Sequence, residues 1–207
     1  MSVWDRQSAP AATIAFIKAI ETFRAAPYDD GYGYWTIGYG SRRDAQGREV
    51  TRATPPVTVA EAEAMLARDL AQAIEWVRQA IRVPLADHQA GALVSLAYNL
   101  GSLNAKAESL VALVNAEDWR QAAERFQVYR MSAGKPSLGL RRRRWAEAAI
   151  FLGADPVEAQ RLAWDGRIRT VDDWPPLPEG AEPVLSEADR LNELQLASLR
   201  RGESRRG

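Results

Sequence analysis

Three side chains near the N-terminus have the types and spacing that acid–base cleavage of an acetal would need: Glu21, Asp30 and Thr36. Ile14, Ile17 and Glu21 share one stripe of a predicted helix, which places Glu21 on its apolar side. A carboxyl group that loses solvation in such a place is suited to act as a general acid.

Asp30 lies in a glycine-rich turn, and Thr36 follows on an adjoining strand. A carboxylate in a polar turn stays ionised, so Asp30 could hold a water molecule, stabilise charge at an anomeric carbon or act as a nucleophile. The threonine hydroxyl could orient that water. A plainer interpretation remains open, since an Asp before a Gly is commonly a turn former. The residues permit this chemistry without requiring it.

The elements around these residues are predicted from capping and periodicity. Ser8 is the predicted N-cap of the first helix, Pro10 lies in its first turn and Pro27 ends it. The stretches "YWTIGYG" and "REVT" are predicted to form two short antiparallel strands.

A long helix is predicted to begin at the capping box "TVAE" and to run from Val59 to about Ile81, with Pro84 closing it. Asp87 caps a further helix that ends at Gly101. Three more helices are indicated around Trp119, Trp145 and Asp155. The predicted fold is α+β, with a small β-containing N-terminal lobe and a larger helical C-terminal lobe joined by the long helix.

Composition limits the kinds of site. The 207 residues are 46% hydrophobic and include no cysteine and one histidine, so thiolate sites are excluded and a histidine-rich metal site is not expected. Net charge is zero. The run from Arg141 to Arg144 splays around a helix, which favours pairing with acids or lining of a cleft over binding of nucleic acid.

Two regions are predicted: residues 1–164 as the catalytic domain and residues 165–207 as an extension. The extension contains the proline-rich, acidic segment from Val171 to Pro183 and a short helix capped by Ser186. Three roles are open for it: a brace on its own domain, an anchor to a partner, or a restraint on activity.

The segment "ETFRAAPYDDGYGYWTIGYG" resembles the catalytic signature of phage-type lysozymes, glycoside hydrolase family 24: a Glu, eight residues, an Asp, five residues and a Thr. Leu85 to Gly101 and Gly139 to Gly153 also resemble blocks of this family, so the resemblance covers about residues 9–153. The chain departs from the family pattern at Ser41, where members often have His, and in the loop after Gly101, which lacks a second glycine.

The resemblance implies a lysozyme-type fold and a muramidase that hydrolyses the β-1,4 bond from N-acetylmuramic acid to N-acetylglucosamine in peptidoglycan. Glu21 would be the general acid, and Asp30 with Thr36 would position the attacking water, without metal or cofactor. An alternative is a wall-binding or particle-associated protein of this fold with little or tail-restrained turnover. The candidate substrate contacts are Tyr34, Tyr39, Ser41, Asn99, Lys135 and Arg142.

The N-terminal residues lack a basic start that leads into a continuous apolar run. Neither a signal peptide nor stable membrane insertion is therefore expected. We expect synthesis in the host cytoplasm and access to the wall by release or delivery, with a phage particle or delivery machine as a possible partner of the extension.

Overall fold

The structure, a computed structural model, describes residues 8–31, 33–103 and 105–179. These residues confirm the predicted α+β architecture with a helical majority. The elements, in chain order, are α1 (Ala11–Glu21), β1 (Arg24–Asp29), β2 (Trp35–Gly38), α2 (Val59–Ala80), α3 (Asp87–Leu100), α4 (Glu108–Asn115), α5 (Trp119–Arg125), β3 (Met131–Ser132), β4 (Lys135–Pro136), α6 (Leu138–Phe151) and α7 (Pro156–Leu162).

The first helix is shorter than predicted at its C-terminal end. It ends at Glu21 because Thr22 adopts a left-handed backbone, with φ of 55°. The prediction that Ser8 is its N-cap is wrong, since Pro10 occupies that position and no side chain caps the helix. Glu21 therefore closes α1 directly before the chain turns into a hairpin.

The small lobe is built on that hairpin, in which β1 pairs antiparallel with β2 and Tyr28 lies opposite Thr36. The sequence predicted "REVT" as a partner strand, but the structure gives that region only a single bridge between Arg43 and Glu49. Pro27, predicted to end a helix, lies inside β1. A proline is tolerated there because β1 has a neighbour on one side only and its pairing is irregular between residues 24 and 28.

The long helix α2 joins the two lobes, as predicted. Its capping box is confirmed, because Thr58 Oγ1 accepts a hydrogen bond from the Glu61 N–H at 3.2 Å while the Glu61 carboxylate accepts from the Thr58 N–H. Near this end Met65 packs with Ile37 in the small lobe's own core. At the other end Asn115 of α4 donates to the Ala80 carbonyl.

The large lobe is organised around α3, which is almost entirely buried and packs against α1, α2 and α6. Gly91 allows α1 to approach closely, because a Cβ there would lie 2.1 Å from Thr13 Oγ1. The predicted end of α3 is confirmed at Gly101, whose left-handed φ of 71° closes the helix. Helix α4 was not predicted. The tight α1–α3 contact fixes the helix that carries Glu21.

Residues 168–179, the docked segment, lie against α5 and α6. Ile168 is fully buried and Leu177 is 5% exposed. The Trp145 Nε1–H donates to the Pro175 carbonyl at 2.9 Å, and the Trp174 Nε1–H donates to Glu124 of α5 at 2.7 Å. The domain boundary at residue 164 stays a prediction, and the helix expected after Ser186 lies outside the described residues.

Candidate active site

Glu21 lies where α1, the β2 turn and α6 meet. Its side chain is 22% exposed, and Arg143 Nη1 of α6 lies 2.5 Å from its Oε1 atom. A Cβ at Gly40, in the turn after β2, would be 3.7 Å from Glu21 Oε2. The helical stripe predicted a purely apolar environment for Glu21. That prediction is wrong in one respect, because the guanidinium group of Arg143 faces the carboxylate.

Asp30 begins the turn between β1 and β2, as the glycine-rich sequence predicted. Its Oδ1 atom accepts from the Tyr34 N–H at 3.1 Å, and its backbone N–H donates to the Tyr34 carbonyl at 3.0 Å. Its Oδ2 atom forms an ion pair with Arg42 Nη2 at 3.5 Å. The Arg42 guanidinium also stacks on the Tyr34 ring, with 3.8 Å between its carbon and the ring centroid. The Asp30 carboxylate is thus held by a backbone N–H group and a guanidinium group.

Thr36 lies in β2, and its residue is only 3% exposed. Its Oγ1 atom is buried, yet no described residue forms a hydrogen bond with it. Buried hydroxyl groups almost always have a partner, which for such an atom is commonly an ordered water molecule. A hydroxyl that spends no hydrogen bond on the protein can receive or orient a polar atom of a bound molecule.

Tyr98 of α3 connects the two sides of this site, and sequence reasoning did not single it out. Its hydroxyl donates to the Tyr39 carbonyl at 2.8 Å, which ties the large lobe to the β2 turn. Burial raises the pKa of Tyr98, and the negative charges of Glu21 and Asp69 raise it further. Tyr98 is therefore a neutral hydrogen-bond donor near neutral pH.

Two of the candidate substrate contacts, Tyr39 and Ser41, are buried, with exposures of 6% and 2%. The Ser41 hydroxyl donates to Asp69 of α2 at 2.5 Å. In this chain Ser41 therefore supports the turn through α2, and a role in contacting substrate stays a prediction for both residues.

The other candidate contacts differ in their surroundings. Tyr34, Asn99 and Lys135 are exposed. Arg142 is half-buried and its Nε–H donates to the Ile168 carbonyl at 3.0 Å. Their roles in binding substrate also stay predictions. The arginine that reaches Glu21 is the next one, Arg143, which the sequence showed only as part of a run.

Among the described residues, no group of three or more His, Cys, Asp or Glu side chains is placed to hold a metal ion. No helix in the same part of the chain is long and apolar enough to cross a membrane.

Comparison with known proteins identifies the family. The phage lysozyme family model matches residues 18–147. An endolysin of Acyrthosiphon pisum secondary endosymbiont phage 1 is 32% identical over 145 residues, which cover 68% of this chain and 95% of that protein.

Solved structures agree with this match. An endolysin from Escherichia coli O157:H7 phage FAHEc1 superposes with a TM-score of 0.66 and 31% identity, covering 72% of this chain and 96% of that one. The muramidase domain of SpmX from Asticaccaulis excentricus gives a TM-score of 0.62 at 29% identity, covering 72% of this chain and all of that domain. The predicted lysozyme-like fold is thereby confirmed. The chain belongs to the phage lysozyme family and is a glycoside hydrolase that acts on peptidoglycan.

Proposed function

We propose that the chain is a muramidase that cleaves the β-1,4 bond between N-acetylmuramic acid and N-acetylglucosamine, with Glu21 as general acid and Asp30 and Thr36 positioning water. The observation that carries this assignment is the Glu21 carboxyl group, which is 22% exposed at the junction of α1, the turn after β2 and α6 and lies within the residues that the phage lysozyme family model matches.

In this mechanism Glu21 gives its proton to the glycosidic oxygen as the bond to the anomeric carbon breaks. Asp30 accepts a proton from the attacking water, whose oxygen forms the new bond on the opposite face of the sugar. The Arg143 guanidinium beside Glu21 stabilises the carboxylate that remains after proton donation. The product is the α-anomer, and no metal or cofactor takes part in any step.

The test of the catalytic assignment is fragment release from purified peptidoglycan by the wild-type chain and Glu21→Gln. An amide retains the shape of the carboxyl group but has no acidic proton. We therefore expect the rate to fall about 1,000-fold, which corresponds to an increase of about 4 kcal/mol in the activation free energy. Thermal unfolding of both proteins provides the control for folding. Equal activity in the variant would remove Glu21 as the acid, and wall binding without fragment release by wild type would favour the wall-binding alternative.

Proton NMR of the first released reducing ends distinguishes the two roles that the sequence left open for Asp30. Inversion gives the α-anomer first and supports a positioned water molecule. Retention gives the β-anomer first and would make Asp30 a nucleophile.

The biological role that best fits the relatives is a phage endolysin acting on the cell wall. The SAR-endolysin of Enterobacteria phage P21 is 32% identical over 126 residues, which cover 61% of this chain and 73% of that protein. For this chain, cytoplasmic synthesis followed by release or delivery to the wall remains part of the proposal, as does a particle partner for the extension. The contacts of residues 168–179 support the brace among the three roles considered for the extension.

A further inference from the structure

Two carboxylates and two guanidinium groups are in contact where α1, α3 and α6 meet: Glu21, Arg143, Arg144 and Glu147, here called the charge cluster. Arg143 bridges the two carboxylates, with Nη1 at 2.5 Å from Glu21 Oε1 and Nε at 3.0 Å from Glu147 Oε1. Arg144 Nη2 donates to Glu147 Oε1 at 2.9 Å, and its Nε lies 2.8 Å from Oε2. Two negative and two positive charges leave the cluster formally neutral.

The cluster is buried except at its catalytic end. The side chains of Arg144 and Glu147 are 0% exposed and that of Arg143 is 3% exposed, whereas that of Glu21 is 22% exposed. Ser95 of α3 anchors the buried end, because its hydroxyl donates to Glu147 Oε1 at 2.6 Å and its carbonyl accepts from Arg143 Nη2 at 3.2 Å. The Arg143 guanidinium is thus held from two helices before it reaches Glu21.

Buried ion pairs of this kind contribute little net stability compared with apolar residues of the same volume. A connected polar network does, however, restrict geometry, since each misplaced group leaves another unpaired in a medium of low polarity. The connection is incomplete at Arg144, whose Nη1 atom has no hydrogen-bond partner among the described residues and whose Nε atom meets Glu147 Oε2 as an ion pair without hydrogen-bond geometry. The cluster therefore gives Glu21 a defined position more than it adds stability to the large lobe.

Burial and neighbouring charges shift the pKa values of Arg143 and Arg144 in opposite directions. Burial lowers the pKa of Arg144 to about 10, with Glu147 opposing this and Arg143 adding to it. Burial also opposes the charge of Arg143, but Glu21 and Glu147 outweigh it and raise the pKa of that arginine. Arg143 therefore stays cationic throughout the range in which a lysozyme works.

We propose that Glu147 and Arg144 are positioning residues for the general acid: Glu147 fixes the Arg143 guanidinium, which fixes Glu21, and Arg144 balances the charge of Glu147. This inference rests on the proposed role of Glu21.

Other titratable groups face the same site. Tyr98 of α3 has Glu21 as an electrostatic neighbour, together with Asp69 of α2 and Tyr28 of β1. Substitutions at the buried end of the cluster leave all three in place, so a change in pH dependence reports on the cluster.

The experiment compares the pH dependence of kcat/KM for Glu147→Gln and Arg144→Met on a soluble peptidoglycan fragment. Glu147→Gln gives the cluster a charge of +1, which favours ionised Glu21, so the alkaline limb moves to lower pH by about one unit. Arg144→Met gives the cluster a charge of −1, so the limb moves to higher pH. The double variant restores neutrality and returns the limb to the wild-type position. In both single variants kcat falls about tenfold because Arg143 loses its fixed orientation.

Two further variants separate positioning from structure. Ser95→Ala keeps all four charges, so its limb stays at the wild-type pH while kcat falls severalfold. Glu158→Gln breaks the exposed Glu158–Arg161 pair of α7, whose side chains are 51% and 55% exposed, and changes net charge by the same amount as Glu147→Gln. We expect it to leave both limb and kcat unchanged.

Limbs that move in opposite directions support the proposal, and unmoved limbs in folded Glu147→Gln and Arg144→Met overturn it. If Glu147→Gln does not fold, Arg144→Met and Ser95→Ala still test the proposal, since Arg144→Met should move the alkaline limb and Ser95→Ala should not. A failure here with Glu21→Gln inactive leaves the proposed function standing. An active Glu21→Gln would instead remove the proposed function itself.

Discussion

Four consecutive arginines in α6 divide into an outer pair, Arg141 and Arg142, and an inner pair, Arg143 and Arg144. The outer pair donates to backbone carbonyl groups of the docked segment: Arg141 Nε to Val171 at 2.6 Å and Arg142 Nε to residue 168 at 3.0 Å. The inner pair donates hydrogen bonds to the carboxylates of Glu21 and Glu147 and to Ser95. One short run therefore serves two different surfaces of the helix.

Helical geometry explains the division, because successive side chains point about 100° apart. The outer arginines donate to backbone carbonyl groups, and the guanidinium group of Arg141 also lies over the Trp174 ring and interacts with the charges of Asp172 and Asp173. The inner arginines face charges of opposite sign and lie deep in the large lobe. The outer pair therefore holds the docked segment in place, whereas the inner pair holds the carboxylate of Glu21, the proposed general acid.

The largest effect that separates the pairs should follow from Arg143→Met, compared with Arg141→Met as a matched control. Removing Arg143 leaves Glu21 without its ion pair and Glu147 with one partner fewer, so kcat should fall at least 100-fold and the free energy of unfolding by about 3–5 kcal/mol. Arg141→Met should keep kcat and cost about 1–2 kcal/mol, because it loses the hydrogen bond to Val171 and the contact with the Trp174 ring.

The measurements are kcat on soluble fragments and the midpoint of urea unfolding for both variants. If Arg141→Met lost as much activity as Arg143→Met, the division of the run into two roles would be contradicted.

A smaller effect, on stability alone, should follow from removing the docked segment. A chain of residues 1–164 lacks the buried Ile168 and Leu177, so its free energy of unfolding should be about 3–6 kcal/mol below that of a chain of residues 1–179. Activity per folded molecule should be equal in the two chains, because the charge cluster and the hairpin are present in both.

Urea unfolding of both chains, followed by tryptophan fluorescence, measures this difference. Equal midpoints would mean that residues 165–179 do not brace the domain and would support the predicted boundary at residue 164. Higher activity in the shorter chain would instead support the role of the extension as a restraint.

Sequence reasoning was most successful where the signal is local. The capping box at Thr58 and the glycine end of α3 each depend on a few neighbouring residues, and both are confirmed. The assignment of Glu21, Asp30 and Thr36 depended on a family signature, since their separate residue types also fit a helix end, a turn and a strand. The hairpin of β1 was missed because Pro27 predicts a break more often than an edge strand.

The contacts across long sequence distances were not predictable. Arg143 lies 122 residues from Glu21, and nothing in a run of four arginines distinguishes the one that reaches the acid. The contacts of the docked segment could not be predicted for a different reason. It is held largely through its backbone carbonyl groups, which every residue carries and no sequence pattern marks.

The smallest effect concerns Asp173, in the middle of the docked segment. Its carboxylate accepts hydrogen bonds from the backbone N–H groups of Thr170, at 2.8 Å, and Arg169, at 2.7 Å, which together hold the pKa of Asp173 below its ordinary value of 3.8. A folded-state pKa below the unfolded one gives stabilisation that is fully present above pH 3.8 and is lost as pH falls through the folded-state value. Wild type and Asp173→Asn should therefore differ in urea midpoint at neutral pH and converge in acid. A difference that persists to about pH 2, well below the ordinary range of aspartate, would show that charge on Asp173 does not hold the segment. Convergence would place the acid-sensitive contact at the docked segment, on the opposite side of α6 from the pair that serves Glu21.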